Sequence, residues 1–208
     1  VPTFCIGDIE DCWTLPPVAL RTAVDLRTPV VLLTSKEMVM TERSFALSRL
    51  GDVEPVEREY GSGAGTYRPY AAGEAETPEF FPIGDDGHQV RMTASTHDQL
   101  GILRHSTEEA LENTRRLSAK VNAKTPVLYY LEEMEEAKTL IVTYGITAGA
   151  AREAVQMLRE EGIGASLLVA RTLVPVPDAY FRILDRYDRV VFAEENLQGQ
   201  FASILFGE

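Results

Sequence analysis

Thr139-Leu140-Ile141-Val142-Thr143-Tyr144-Gly145-Ile146-Thr147-Ala148-Gly149 is the stretch that decides the fold. Its first six residues form an apolar, β-branched run, the pattern of a strand covered on both faces. Gly145 then turns the chain into a helix capped by Thr147, with Ala148, Ala151, Val155 and Leu158 inward and Gly162 as its stop. A covered strand, a glycine turn and a returning helix make up the repeating unit of a mostly parallel α/β sheet. Downstream, Ala165–Ala170 and Arg189–Ala193 read as further strands. Pro175 and Pro177 lead into a helix with Tyr180, Phe181, Ile183, Leu184 and Tyr187 on one face, and Gly199–Phe206 begins a last helix in which the chain stops. Upstream, Val127–Tyr130 is strand-like. Before it, Ser106 and Glu109 make a capping box for a helix whose apolar face is Ala110/Leu111, Thr114, Leu117 and Val121.

Further outward the texture changes twice. Residues 1–50 read as strand (Thr3–Ile6), helix and strand (Val30–Leu33). Pro16 and Pro17 open that helix, and Pro29 blocks its continuation. This spacing predicts a parallel crossover. Residues 51–105 carry no sustained period and are punctuated by Gly61-Ser62-Gly63-Ala64-Gly65, Pro69, Gly73, Pro78, Pro82, Gly84 and Gly87. They are expected to form a long connector without a core of its own, wrapped on something larger. Tyr60, Tyr67, Tyr70, Phe80 and Phe81 argue against disorder, because disordered segments are poor in aromatics.

Composition excludes several classes. A formal net charge of −12 repels nucleic-acid backbones, so no nucleic-acid partner is expected. The longest apolar runs are short and broken, so no membrane span is expected either. Val1-Pro2-Thr3-Phe4 reads as folded sequence rather than a leader, which makes the cytoplasm the default address. Cys5 and Cys12 are too few and too far apart for a zinc knuckle or an iron–sulfur run. Cys5 is expected to be a buried thiol.

No self-sufficient catalytic motif stands in the sequence. The Gly145 turn lacks the lysine of a phosphate loop and the third glycine of a dinucleotide fingerprint. A tight turn with close helix–sheet packing accounts for Gly145 and Gly149. Glu194 and Glu195 close a strand on opposite faces and cannot act as a close acid/base pair; one of them is read as the cap of the helix after Gly199. His88, His97 and His105 stand near Asp85, Asp86 and Asp98, but their spacing matches no helical ligand pair. They are read as a pocket wall or a polar loop rather than a metal site, so no metal ligands and no catalytic residues are assigned.

Three stretches resemble one family. Arg27-Thr28-Pro29-Val30-Val31-Leu32-Leu33-Thr34-Ser35 is similar to the end of the pyrimidine-side thiamine-diphosphate domain in α subunits of 2-oxoacid:ferredoxin oxidoreductases. Thr96-His97-Asp98-Gln99-Leu100-Gly101 and Arg116-Leu117-Ser118-Ala119-Lys120 resemble that family's His-acidic-Gly stretch and the helix after it. Val142-Thr143-Tyr144-Gly145, Leu173-Val174-Pro175-Val176-Pro177 and Ala193-Glu194-Glu195-Asn196-Leu197-Gln198-Gly199-Gln200 resemble its transketolase-C-terminal-like second domain. The resemblance implies an α/β chain in three parts. These are the end of a pyrimidine-type domain (1–50), a connector ending in a helix (51–122) and a three-layer α/β/α domain with a mostly parallel sheet (123–208).

It also implies an enzyme that converts a 2-oxoacid, 2-oxoglutarate first, with coenzyme A into acyl-coenzyme A, CO2 and reduced ferredoxin. Thiamine diphosphate and Mg²⁺ would be bound mainly by a β subunit and by other α-subunit segments, and the iron–sulfur cluster by another chain. This chain would bind none of them alone. The family's Tyr-Pro-Ile-Thr-Pro loop, Arg-Gly-Pro-Ser stretch and Gly-Asp-Gly…Asn-Asn motif do not stand in this sequence, and Gly84-Asp85-Asp86-Gly87 is no substitute. The chain is therefore expected to act as scaffold and subunit interface, inactive in isolation, with His97 and Asp98 as the residues carried over to the substrate pocket. Two other readings stay open at this point. One is the C-terminal half of a transketolase or 2-oxoacid dehydrogenase β-type subunit, and the other is a non-catalytic α/β interaction module.

Overall fold

The computed structural model describes residues 1–61, 65–84 and 86–207; Ser62, Gly63, Ala64 and Asp85 of the motifs quoted above lie outside the described residues. In chain order the elements are β1 (Thr3–Cys5), α1 (Asp11–Leu26), β2 (Val31–Leu33), α2 (Lys36–Met40), a 3-10 turn (Leu47–Arg49) and α3 (Glu108–Lys124). They continue with β3 (Tyr129–Glu132), β4 (Thr139–Tyr144), α4 (Thr147–Glu160), β5 (Ala165–Ala170), β6 (Thr172–Val174), α5 (Asp178–Leu184), β7 (Arg189–Ala193) and α6 (Gln200–Phe206). The chain divides into two compact units: Val1–Arg21, Pro29–Pro55 and Pro126–Glu208 make the first, and Thr22–Thr28 with Val56–Thr125 the second. These units do not coincide with the three zones of the sequence.

The first unit is built on a sheet of order β3-β5-β4-β7, in which β5, β4 and β7 run parallel and β3 joins antiparallel. Every residue of β5 is buried. Alternation along the strand sends Leu167 and Val169 toward Ala148, Ala151 and Val155 of α4. Leu168 and Ala170 go the other way, with Leu140 and Val142, toward Tyr180, Ile183 and Leu184 of α5 and Phe201 and Leu205 of α6. The result is the expected three-layer α/β/α arrangement. A second sheet of order β2-β1-β6 pairs β1 with β2 in parallel across the α1 crossover, and with β6 antiparallel.

Several helix boundaries differ from the sequence reading. α1 starts at Asp11, because Asp8 Oδ1 accepts the Asp11 N–H at 2.9 Å and nucleates the helix a turn and a half ahead of the prolines. Pro16 and Pro17 thus lie inside it. Thr107, not Ser106, caps α3, its hydroxyl accepting from Ala110 N at 3.4 Å, while Ser106 adopts a left-handed φ of 53°. Thr147 is the first residue of α4 rather than its cap, and the turn is made by Gly145 at φ 61°. Gly145 is required by its left-handed φ, whereas a methyl group on Gly149 would meet nothing. α6 ends before position 207, where Gly207 (φ 75°) returns its N–H to Ser203 O at 2.8 Å.

Ring contacts and one arginine tie the connector together. In the second unit Tyr67 packs on Phe81 (ring centroids 4.5 Å apart), Phe81 on His88 (4.6 Å) and Tyr60 on Phe80 (5.6 Å). Arg27 and Arg58 lie over the Phe80 ring at 4.8 and 4.1 Å. Arg27 stands just past α1 at φ 46°, a place that favours glycine. Its guanidinium donates to the carbonyls of Pro69, Pro78 and Glu79 at 3.3, 3.1 and 2.9 Å and so ties the loop together.

Because β5 is covered on both faces, Leu168→Ala is expected to lower the unfolding free energy by about 2–5 kcal/mol in urea denaturation. A loss well under 1 kcal/mol would show that this strand is not the centre of the core.

Candidate functional site

A cavity of about 610 Å³ opens in the second unit, and both residues singled out in the sequence, His97 and Asp98, line it. The loop that presents them is organised by Asp98. Its Oδ1 accepts the N–H groups of Leu100 (2.9 Å) and Ile102 (3.0 Å), and its Oδ2 pairs with Arg104 (2.8 Å). The backbone closes the same turn, with Asp98 N donating to Ile102 O and Gly101 N to Asp98 O, both at 3.0 Å. Gly101 is obligatory here: φ is 76°, and a Cβ would stand 2.7 Å from Arg91 O. The Ile102 N–H, with Leu100 N–H and Arg104 behind it, holds the Asp98 carboxyl below its ordinary range. Asp98 thus spends its charge on the loop, and the group left facing the cavity is His97.

His97 is 7% exposed and stacks on Tyr70 at 3.4 Å between ring centroids. Its Nδ1 is buried without a hydrogen-bond partner among the described residues. Burial, with the Arg116 charge adding to it, lowers its pKa and favours the neutral ring.

Behind it, α3 presents a face that the sequence reading missed. The expected apolar stripe is displaced by one position: Ala110, Asn113, Arg116 and Lys120 are buried, while Leu111 and Leu117 stand exposed. Arg116 is 8% exposed and donates to Asn113 Oδ1 at 2.8 Å and to Glu76 O at 3.3 Å. Asn113 reaches Thr96 Oγ1 at 3.4 Å, which fixes the helix to the His97 loop. Lys120 is 2% exposed and donates to Leu26 O. Burial first, and then the charges of Arg116, Arg27 and Lys124, push its pKa down to about 8. None of the ion pairs among the described residues includes Arg27, Arg116 or Lys120. The one advance signal was an Arg and a Lys four residues apart on a helix.

The three histidines are not brought together. His88 belongs to the Tyr67–Phe81 cluster, and His105 is exposed. Among the described residues no three His, Cys, Asp or Glu side chains gather as metal ligands.

The first unit holds a second polar network, at the carboxyl ends of β1 and β5. Asp11, 1% exposed, accepts from Gly7 N at 2.9 Å and pairs with Arg171 at 2.8 Å, while Asp8 pairs with Arg152 at 3.0 Å. Burial raises the pKa of Asp11 despite its partners and lifts that of the Cys5 thiol to about 12, so Cys5 is inert as a nucleophile. Every charge in this network is paired, the condition for tolerating ions away from water. The Glu194 stretch is structural too: its carboxylate accepts the N–H groups of Phe201 (2.8 Å) and Ala202 (3.0 Å) and the Asn196 amide (2.7 Å), which caps α6 as expected.

Residues 137–208 match the family described as pyruvate:ferredoxin oxidoreductase core domain II. This region contains β4–β7 and the helices on both sides of them, and the match defines the class of the sheet domain. Over nearly its whole length the chain is similar to α subunits of 2-oxoacid:ferredoxin oxidoreductases. It is 25% identical over 209 residues to the 2-oxoglutarate synthase subunit KorA of Methanothermobacter thermautotrophicus, a similarity that covers 95% of this chain and 53% of the relative. It is 37% identical over 199 residues to the 2-oxoacid:ferredoxin oxidoreductase 2 subunit alpha of Aeropyrum pernix, covering 90% of this chain and 30% of the relative. The chain thus spans about half or less of the length of these curated relatives. Its fold is shared with the solved 2-oxoglutarate:ferredoxin oxidoreductase from Magnetococcus marinus with 2-oxoglutarate, coenzyme A and succinyl-CoA bound. The TM-score is 0.82 at 22% identity, covering 100% of this chain and 37% of that one. Among the described residues no helix is long and apolar enough to cross a membrane.

Lys120 gives the second unit a testable pH signature. Its folded pKa of about 8 lies below the ordinary 10.5, so the unfolded chain binds more protons between these values and stability rises with pH across that window. The difference between the wild type and Lys120→Met is expected to change by about 1–3 kcal/mol from pH 8 to 10.5, with the wild type gaining. Parallel stability profiles for the two proteins would show that Lys120 is not held as a strained cation.

Proposed function

We propose that this chain forms the C-terminal, scaffolding part of the α subunit of a thiamine-diphosphate-dependent 2-oxoacid:ferredoxin oxidoreductase. The complex would convert a 2-oxoacid, 2-oxoglutarate first, with coenzyme A into acyl-coenzyme A, CO2 and reduced ferredoxin. The observation that carries this reading is similarity to KorA-type subunits over 95% of the chain. The zones 1–50, 51–122 and 123–208 are assigned as the end of the pyrimidine-side domain, the connector and domain II.

The carboxylates at the Asp8–Asp11 sheet edge are engaged with Arg152 and Arg171. Binding of the cofactor's diphosphate and metal is assigned to a β subunit and other α-subunit segments, and the iron–sulfur cluster is assigned to another chain. When bound, thiamine diphosphate supplies the carbanion chemistry, which proteins position rather than perform. The contribution of this chain is a rigid sheet domain and the His97 cavity. His97 is assigned to the substrate-pocket wall, and Asp98 sets the loop that aims it. Cytoplasmic location follows from the same reading.

The test uses the whole subunit that contains this chain, with its β subunit, thiamine diphosphate, Mg²⁺, coenzyme A and a viologen dye. Addition of 2-oxoglutarate is expected to reduce the dye. Failure to reduce it with 2-oxoglutarate, pyruvate and branched-chain 2-oxoacids alike would overturn the proposal.

A further inference from the structure

Loop residues 68–72 and 96–104 meet at His97. The backbone that carries His97 is pinned by its bridge to Leu103. It is also pinned through Thr96, whose hydroxyl donates to Ala110 O at 3.3 Å and accepts from the Asn113 amide at 3.4 Å. The other loop brings Tyr70 against the ring. Tyr70 N donates to Gln99 O at 3.3 Å, and the Arg27 guanidinium holds the carbonyl of the preceding Pro69 at 3.3 Å. Ties on both loops thus set where the two side chains stand.

What these ties leave open is the plane of the imidazole. A histidine ring is ordinarily oriented by a hydrogen bond at one of its nitrogens. Nδ1 of His97 makes none among the described residues, so no bond at that atom sets the ring. Tyr70 does. Its ring lies over the imidazole with centroids 3.4 Å apart and planes 22° from parallel. That spacing is a carbon–carbon contact distance, so one ring covers the other with little lateral offset. Turning the imidazole out of this plane would drive its edge into the phenol ring. Both residues line the cavity of the second unit.

We infer that Tyr70 is a positioning residue, whose stacked ring fixes the plane of the His97 imidazole at the wall of the substrate pocket. This assignment rests on the oxidoreductase reading and adds a residue to it. Tyr70 acts through His97, by way of its ring and not its hydroxyl. A wall group held in one orientation serves substrate and transition state alike, so its loss raises KM and leaves kcat nearly unchanged.

The test uses the whole α subunit with its β subunit, thiamine diphosphate, Mg²⁺, coenzyme A and a viologen dye, varying the 2-oxoacid that the wild type turns over fastest. Tyr70→Phe keeps the ring and is expected to hold KM within about twofold of the wild type. Tyr70→Leu is expected to raise KM roughly threefold to tenfold, the range that loss of an aromatic pair gives, with kcat within about twofold. His97→Asn is expected to raise KM at least as much. Tyr70→Leu on top of it is expected to add nothing, because residues that act as a unit are not additive. If Tyr70→Leu does not fold, Tyr70→Met, which also lacks a ring, takes its place. An equal loss in Tyr70→Phe would mean that the hydroxyl touches substrate directly. Multiplying effects in the double variant would mean that Tyr70 acts apart from His97, and an unchanged KM in Tyr70→Leu would leave the stack without a role. Each of these outcomes would overturn the assignment while wild-type turnover kept the oxidoreductase reading standing, whereas an inactive wild type would remove both.

Discussion

β5 has no solvent-facing residue, and that constraint organises the first unit. A strand covered on both faces needs a layer of helix on each, and its neighbours β4 and β7 must run so that the connecting helices return to the proper side. Only a short turn lets α4 lie directly on Leu167 and Val169, and the left-handed φ that this turn needs is why glycine stands at position 145. On the opposite face α6 is short and needs an external cap to hold its start. Glu194, at the end of β7, supplies it by accepting two α6 N–H groups. The most specific run of residues in the sequence, Glu194 to Gln200, therefore marks a structural joint rather than a reactive group.

The second unit obeys a different rule. It has one long helix and little strand, so its interior must be satisfied by side chains instead of ladders. Arg27 binds three loop carbonyls, Lys120 binds the carbonyl of Leu26, and Arg116 binds that of Glu76. Those backbone acceptors have no secondary-structure partner and would be costly to bury alone. Cations with several donors on long stems meet that need better than hydroxyls or amides do. The same requirement rotates α3, turning Arg116 and Lys120 inward and leaving Leu111 and Leu117 outside.

This difference explains what the sequence disclosed. β4, β5 and β7 were legible to the residue; for β4 and β5 the hydrophobic run follows directly from burial, and β7 carries an apolar run although it stands at the sheet edge. Helix starts were less legible because capping depends on which nearby side chain reaches the N–H groups, as Asp8 does ahead of Pro16 and Pro17. The buried face of α3 was illegible from apolar periodicity, because the groups that select it are carbonyls distant in sequence. His97 and Asp98 were visible as part of a loose group of histidines and aspartates and of a family-like stretch. That they divide their work, Asp98 on the loop and His97 on the cavity, needed the hydrogen bonds around Gly101.

The second unit buries two cations, Arg116 and Lys120, and among the described residues neither stands in an ion pair with a carboxylate. Hydrophobic side chains of similar volume usually replace buried ions at no loss. The paired network of Asp8, Asp11, Arg152 and Arg171 shows that this same protein matches buried charges where structure is the only demand. In the second unit the match is withheld, and the excess charge stands next to an open cavity with an unsatisfied imidazole nitrogen in its wall.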